Sequence, residues 1–141
     1  MAPQLNYRIL LVEDDLVDVK FFKHSSKLNR INNEIRVARD GLDALEILTT
    51  EDEQNRISKP YIIILDLNMP RMDGHEFLRH LRNDKKLKDA VVFIFTTSDN
   101  HYDLSEAYDM NIAGYFLKSG QPSDVSYSDP KCQDSSEPKL R

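Results

Sequence analysis

Short apolar runs recur along the chain and alternate with segments whose apolar residues are spaced as on a helix. Residues 9–12, 61–65 and 91–95 are unbroken runs that are rich in β-branched side chains. Runs without polar alternation are typical of strands buried on both faces, as in a parallel sheet. Two further segments, at 34–38 and 113–117, predict two more strands.

The segments between these runs have the periodicity of amphipathic helices. In the first segment, Val17, Phe21 and Leu28 fall on one helical face and predict its buried side. Three later segments predict helices in the same way, around residues 44–48, 77–81 and 102–111. Strand and helix therefore alternate along the chain. This order favours right-handed crossovers and a doubly wound α/β fold with a five-stranded parallel sheet.

Polar side chains stand directly after the last apolar residue of four predicted strands. They are Glu13 with Asp14, then Asp66, Thr96 and Lys118. The carboxyl ends of parallel strands meet at one edge of the sheet, where doubly wound folds bind their ligands. We therefore expect these residues to lie together in space.

The residue types in this set suit phosphoryl chemistry. The carboxylates of Glu13, Asp14 and Asp66 would repel one another unless a cation lies between them, and hard oxygen ligands suit Mg²⁺. Lys118 supplies a positive point charge and Thr96 a hydroxyl donor for a phosphoryl group. An aspartate can act as the nucleophile and become an acyl phosphate.

Composition limits the compartment and the partners that we expect for this protein. The chain has 19 Lys and Arg against 24 Asp and Glu, a net charge of −5, which argues against direct binding to nucleic acid. Its single cysteine, Cys132, cannot form an internal disulfide. No apolar run approaches the ~20 residues that a membrane-spanning helix needs. We therefore expect a cytoplasmic protein that has no contact with membranes.

Four motifs carry a resemblance to a known family. They are ILLVEDD at 9–15, LDLNMPRMDG at 65–74, TTSD at 96–99 and GYFLK at 114–118. In this order and at these separations they resemble the receiver domains of two-component response regulators. The likeness covers about residues 7–118 and is greatest to stand-alone, single-domain receivers.

The resemblance implies a flavodoxin-like fold with strand order 2-1-3-4-5 and a phosphorylation switch that is not a turnover enzyme. It implies these roles: Asp66 as phosphoacceptor, Thr96 and Lys118 as phosphoryl contacts, Tyr115 as the aromatic switch, and Glu13, Asp14, Asp66 and the backbone carbonyl of Asn68 as Mg²⁺ ligands. It also implies a sensor histidine kinase as phosphodonor. The output would be a changed strand 4 to strand 5 surface for a protein partner, with Tyr115 repacking inward.

Several alternatives remain open from the sequence. The same fold can be a non-phosphorylated interaction module. An aspartyl-phosphate phosphatase would have a second aspartate at the position of Asn68, and a flavin-binding protein would have a Ser/Thr/Gly-rich loop after the first strand. Thr97 or Ser98 could supply the hydroxyl in place of Thr96. We interpret Asp15 as a helix cap and Asp18 as solvated helix surface.

The segment after Lys118 departs from the family. A proline and a fifth amphipathic helix are usual there, but this chain continues with SGQP and a polar sequence without helical periodicity. We expect a receiver domain over residues 1–120 and an irregular or disordered tail over 121–141. Apolar residues of the first, third and fifth strands would then be partly exposed. Truncation or an altered reading frame is the favoured explanation; cover by the tail, or by a partner such as a second copy in a homodimer, remains open.

Overall fold

Five parallel strands form the centre of the molecule. The structure is a computed structural model that describes residues 6–67, 69, 72–96 and 101–118, with the side chains of 101–104 left out. The strands are β1 (Arg8–Val12), β2 (Ile35–Ala38), β3 (Tyr61–Leu65), β4 (Val91–Thr96) and β5 (Gly114–Leu117). Their spatial order is β2-β1-β3-β4-β5, and every neighbouring pair is parallel. The predicted fold class and strand order are confirmed.

Four helices among the described residues cover the two faces of this sheet. They are α1 (Leu16–Leu28), α2 (Gly41–Thr49), α3 (Gly74–Asn83) and α4 (His101–Asp109). Residues of α2, α3 and α4 belong to the larger apolar cluster, whereas α1 packs with the smaller one. Alternate residues of each strand point to opposite faces, so Ile63 joins the first cluster and Ile64 the second. Burial on both faces explains why the apolar runs are unbroken.

The predicted inward face of α1 is wrong at Val17 and Leu28 and right at Phe21, which packs against the smaller apolar cluster. Val17 is 73% exposed and Leu28 54% exposed, while Val19 and Phe22 are buried together with two small residues, Ser25 and Ser26. The prediction located the buried face from the large apolar side chains alone. Small hydroxyl side chains also fit where a helix lies close to a sheet, and here they form part of the buried face. Asp15 caps this helix as predicted, accepting a 2.8 Å hydrogen bond from the backbone N–H of Val17.

A groove runs along the α1 face of the sheet. It has a volume of about 470 Å³, and half-buried Ile62, Phe93 and Phe116 from β3, β4 and β5 line it. Partial exposure was expected on the first, third and fifth strands. Ile9 of β1 also lines the groove but is buried. The predicted tail, at residues 121–141, and the absence of a fifth helix lie outside the described residues.

No helix among the described residues is both long and apolar enough to cross a membrane.

Gly74 holds the chain close to the end of β3. It is the first residue of α3, whose cap Asp73 accepts a 2.9 Å hydrogen bond from the N–H of Glu76. A Cβ at position 74 would lie 2.6 Å from both the carbonyl oxygen of Asp66 and the Cα of Leu67. Gly41 begins α2 in the same way, but its nearest neighbours are side-chain atoms of Met72.

Replacing these two glycines by alanine should therefore have unequal effects on stability. Gly74→Ala forces backbone apart and should lower the free energy of unfolding by ~1–3 kcal/mol. Gly41→Ala meets a flexible thioether side chain and should stay within about 1 kcal/mol of the wild type. Urea denaturation of the three proteins tests this. Equal losses in both variants would contradict the explanation.

Candidate functional site

Three acidic residues meet at the carboxyl edge of the sheet. Glu13 and Asp14 follow β1, and Asp66 follows β3; Glu13 and Asp66 are buried, while Asp14 is exposed. One carboxylate oxygen of each residue lies within 4.8 Å of the others. The predicted convergence of these three residues is confirmed.

Backbone hydrogen bonds between strands hold two of these acids in place. The N–H of Glu13 donates to the carbonyl of Ala38 at 2.8 Å, and the N–H of Asp66 donates to the carbonyl of Val12 at 3.0 Å. The strand ladder thus continues one residue beyond β1 and β3. The positions of the carboxylates are set by the sheet rather than by a flexible loop.

Lys118 brings a positive charge into the acidic cluster. Its Nζ lies 2.6 Å from Oε1 of Glu13, 2.9 Å from Oδ2 of Asp18 and 3.3 Å from Oδ2 of Asp66. The ring of Phe95 lies beneath, with its centroid 5.2 Å from Nζ, in cation–π range. Only 6% of the side chain is exposed, so these contacts are weakly screened by solvent.

Burial and charge shift the proton affinities of this pair. Burial raises the pKa of Glu13 to about 7, and the charge of Asp66 adds to this effect while Lys118 opposes it. Burial alone would lower the pKa of Lys118, but the contacts with Glu13, Asp18 and Asp66 outweigh it and raise the pKa to about 12. The lysine therefore stays charged, whereas Glu13 titrates near neutral pH.

The contact of Asp18 with Lys118 corrects the interpretation of this aspartate as solvated surface. Asp18 stands in the first turn of α1, and its Oδ2 accepts a hydrogen bond from Nζ of Lys118. The two residues are 100 positions apart in the sequence. The one sequence signal for Asp18 was its place in the first turn of a helix that starts at the acidic edge of the sheet, three residues after the Asp15 cap.

The other predicted residues lie on β4 and β5 or outside the described chain. Thr96 ends β4 and is buried, and its carbonyl accepts a 2.8 Å hydrogen bond from the N–H of Lys118. Tyr115 lies on β5 with only 4% of its surface exposed, so its ring is already in the inward position that was expected only after phosphorylation. Asn68, and the alternative hydroxyls of Thr97 and Ser98, fall outside the described residues.

The donor set fits a divalent cation. Three carboxylates supply hard oxygen atoms close to one another, and the exposure of Asp14 leaves the cluster accessible from solvent. Burial keeps the pKa of Glu13 raised even though Lys118 is in contact with it, so the cluster can accept further positive charge. A cation held by Glu13, Asp14 and Asp66 would supply that charge.

Comparisons with known proteins agree in pointing to one family. The family described as "Response regulator receiver domain" matches residues 9–127. Response regulator Rcp1 of Synechocystis sp. is 35% identical over 117 residues, which are 83% of this chain and 80% of that protein. The match therefore spans the strands and the acidic cluster together.

Two solved structures extend this similarity to three dimensions. The Mn²⁺-bound form of response regulator Rcp1 has a TM-score of 0.70 at 35% identity, over 80% of this chain and 81% of that one. The phosphorylated cyanobacterial phytochrome response regulator RcpA has a TM-score of 0.73 at 34% identity, over 84% of this chain and 85% of that one.

The pKa of Glu13 gives the cluster a predictable pH dependence. Its folded-state pKa of about 7 lies above the ordinary value of 4.5, so the folded protein binds more protons than the unfolded chain between these values. The contribution of the protonated Glu13 carboxyl to the free energy of unfolding is therefore complete below about pH 4.5 and is lost as the pH rises through about 7.

Denaturant unfolding in EDTA, at about pH 5 and about pH 8, checks this dependence. The free energy of unfolding of the wild type, relative to Glu13→Gln, should fall between the two conditions. Adding Mg²⁺ should reduce the fall, because a cation favours the ionised carboxylate. A constant difference between the two proteins would contradict the shift.

Proposed function

The chain belongs to the family of response regulator receiver domains, and from this premise we propose that it is a phosphorylation-activated switch with Asp66 as phosphoacceptor. The observation that carries the proposal is the position of Lys118, whose ammonium lies 3.3 Å from the Asp66 carboxylate and is buried with it. A carboxylate that is buried and paired with a fixed cation is a suitable acceptor for an anionic group.

The reaction that we propose is a single group transfer. A carboxylate oxygen of Asp66 attacks the phosphorus of the donor, the new O–P bond forms, and the bond to the leaving group breaks with its electron pair. Lys118 and Thr96 hold the oxygens of the transferred group. The product is an acyl phosphate; the protein is a phosphoacceptor that assists its own phosphorylation and dephosphorylation and is not a turnover enzyme.

We propose Mg²⁺ as the cation of the acidic cluster, with Glu13, Asp14, Asp66 and the backbone carbonyl of Asn68 as ligands. Mg²⁺ prefers carboxylate and carbonyl oxygens and keeps several waters. When bound, it would offset the negative charge that gathers as phosphate approaches three carboxylates. The existence of a Mn²⁺-bound form of response regulator Rcp1, a similar protein, supports the binding of a divalent ion.

The output that we propose is a population shift along β4 and β5. Thr96 and Lys118 end these adjacent strands, and a backbone hydrogen bond already joins them. A phosphoryl group that draws both side chains would act on both strands at once. Tyr115 lies opposite Ile94 in the same pair of strands, so a shift of these strands would also move its ring.

We propose a sensor histidine kinase as the donor and a protein as the downstream partner. Leu16 and Val17, directly after the acidic residues, are 74% and 73% exposed and would form an apolar contact area beside the site. The acidic net charge and the lone cysteine support a cytoplasmic setting without nucleic acid as partner.

The first test is the intact mass of the protein after incubation with Mg²⁺ and acetyl phosphate. The wild type should gain the mass of one phosphoryl group, and Asp66→Asn should gain none because the amide is a poor nucleophile. An unlabelled but folded wild type, checked by circular dichroism, would reject the switch and favour the non-phosphorylated interaction module.

Neighbouring aspartates provide a matched test of the cation. Asp14→Asn should reduce the Mg²⁺-dependent labelling rate at least tenfold, as for loss of a ligand or its support. Asp15→Asn changes a residue whose side chain caps α1 and lies outside the acidic trio, so labelling should persist with at most ~1 kcal/mol of lost stability. Equal labelling defects would show that charge alone, not ligation, matters.

A further inference from the structure

Asp18 lies beside the acidic trio but does not belong to it. Its carboxylate accepts a hydrogen bond from Nζ of Lys118 at 2.9 Å. The trio that could hold a cation consists of Glu13, Asp14 and Asp66. Lys118 is therefore shared between the cation cluster and an acid that has no part in that cluster.

We propose that Asp18 is a positioning residue that holds the ammonium of Lys118 over Asp66 and thereby sets the rate of phosphoryl transfer. The inference rests on the proposed function, because it concerns the same reaction. Asp18 acts through Lys118 and is not itself in contact with the transferred group.

The argument begins with the other two partners of Lys118. Glu13 and Asp66 are both members of the cation cluster, and Asp66 also changes its charge distribution when it becomes phosphorylated. Neither carboxylate is then a constant partner for the ammonium. Asp18 lies outside the cluster, so its carboxylate binds neither the cation nor the transferred group.

The backbone of Asp18 is fixed before any ligand arrives. It lies in the first turn of α1, directly after the Asp15 cap, and only 25% of its side chain is exposed. A lysine side chain carries ~2 kcal/mol of rotamer entropy. A charge-assisted hydrogen bond to a fixed helix removes part of that freedom in advance, so less must be lost when phosphate binds.

A second effect of Asp18 would act in the opposite direction. Its negative charge repels an anionic phosphodonor, so a field effect alone predicts faster labelling when the charge is removed. If Asp18 positions Lys118, the labelling rate falls in the variants. The fall is larger when the hydrogen-bond acceptor is lost together with the charge. Asparagine keeps an acceptor oxygen and alanine does not, which separates the two roles.

Labelling rates with acetyl phosphate, at saturating Mg²⁺, provide the kinetic test. Asp18→Asn should be slower than the wild type by about threefold and Asp18→Ala by about tenfold, within the range for a displaced reacting group. Asp43 is the control, since it is also a first-turn acid with a similarly exposed side chain, but it contacts Arg39. Asp43→Asn and Asp43→Ala should label at the wild-type rate.

The ammonium resonance of Lys118 in ¹⁵N spectra provides a readout that a general loss of stability would not move. Slow hydrogen exchange is expected in the wild type, faster exchange in Asp18→Ala, and no change in the Asp43 variants. Unfolding curves show whether Asp18→Ala is folded, and the milder Asp18→Asn keeps the test valid if it is not.

The outcomes separate this inference from the function on which it rests. Equal rates for wild type and both Asp18 variants, or faster rates in both, would overturn the positioning role while the wild type still labels. Unchanged ammonium exchange in Asp18→Ala would also overturn it. A folded wild type that does not label would instead overturn the proposed function, and the inference with it.

Discussion

The ion contacts of Lys118 are the interaction on which the rest of the site depends. The carboxylates of Glu13, Asp18 and Asp66 approach one nitrogen atom within 3.3 Å, and only 6% of the lysine side chain is exposed. Without that charge, their burial at one edge of the sheet would be costly. The lysine therefore has a structural role in addition to any contact with phosphate, because it makes the gathering of acids compatible with a folded protein.

The fold supplies this arrangement by simple means. Parallel strands place their carboxyl ends side by side, and interstrand hydrogen bonds extend the ladder to Glu13 and Asp66. Aspartate caps then start α1 and α3 close to that edge, and Gly74 lets α3 begin against the backbone of Asp66. Each of these features is local, but together they fix the acidic side chains close to one another.

The sequence predicted β1, β3 and β4 well because burial on both sheet faces leaves an unbroken apolar run. β3 was predicted at its observed bounds, residues 61–65, and the acids at the strand ends were predicted to converge. The face of α1 was wrong at Val17 and Leu28 because the buried side includes Ser25 and Ser26, which periodicity counts as polar. Asp18 was missed because a first-turn acid is ordinary in any helix, and only the distant Lys118 distinguishes it.

The separation of 100 residues between Asp18 and Lys118 also bears on how the protein is made. The chain is synthesised from its N-terminus, so the acidic residues Glu13, Asp18 and Asp66 are made before Lys118. Until β5 joins the sheet, these acids lack the ammonium that offsets their negative charge. The phosphoacceptor site is thus completed only when the last described strand, β5, has been added. A nascent chain that ends before β5 has the acidic residues but lacks the lysine.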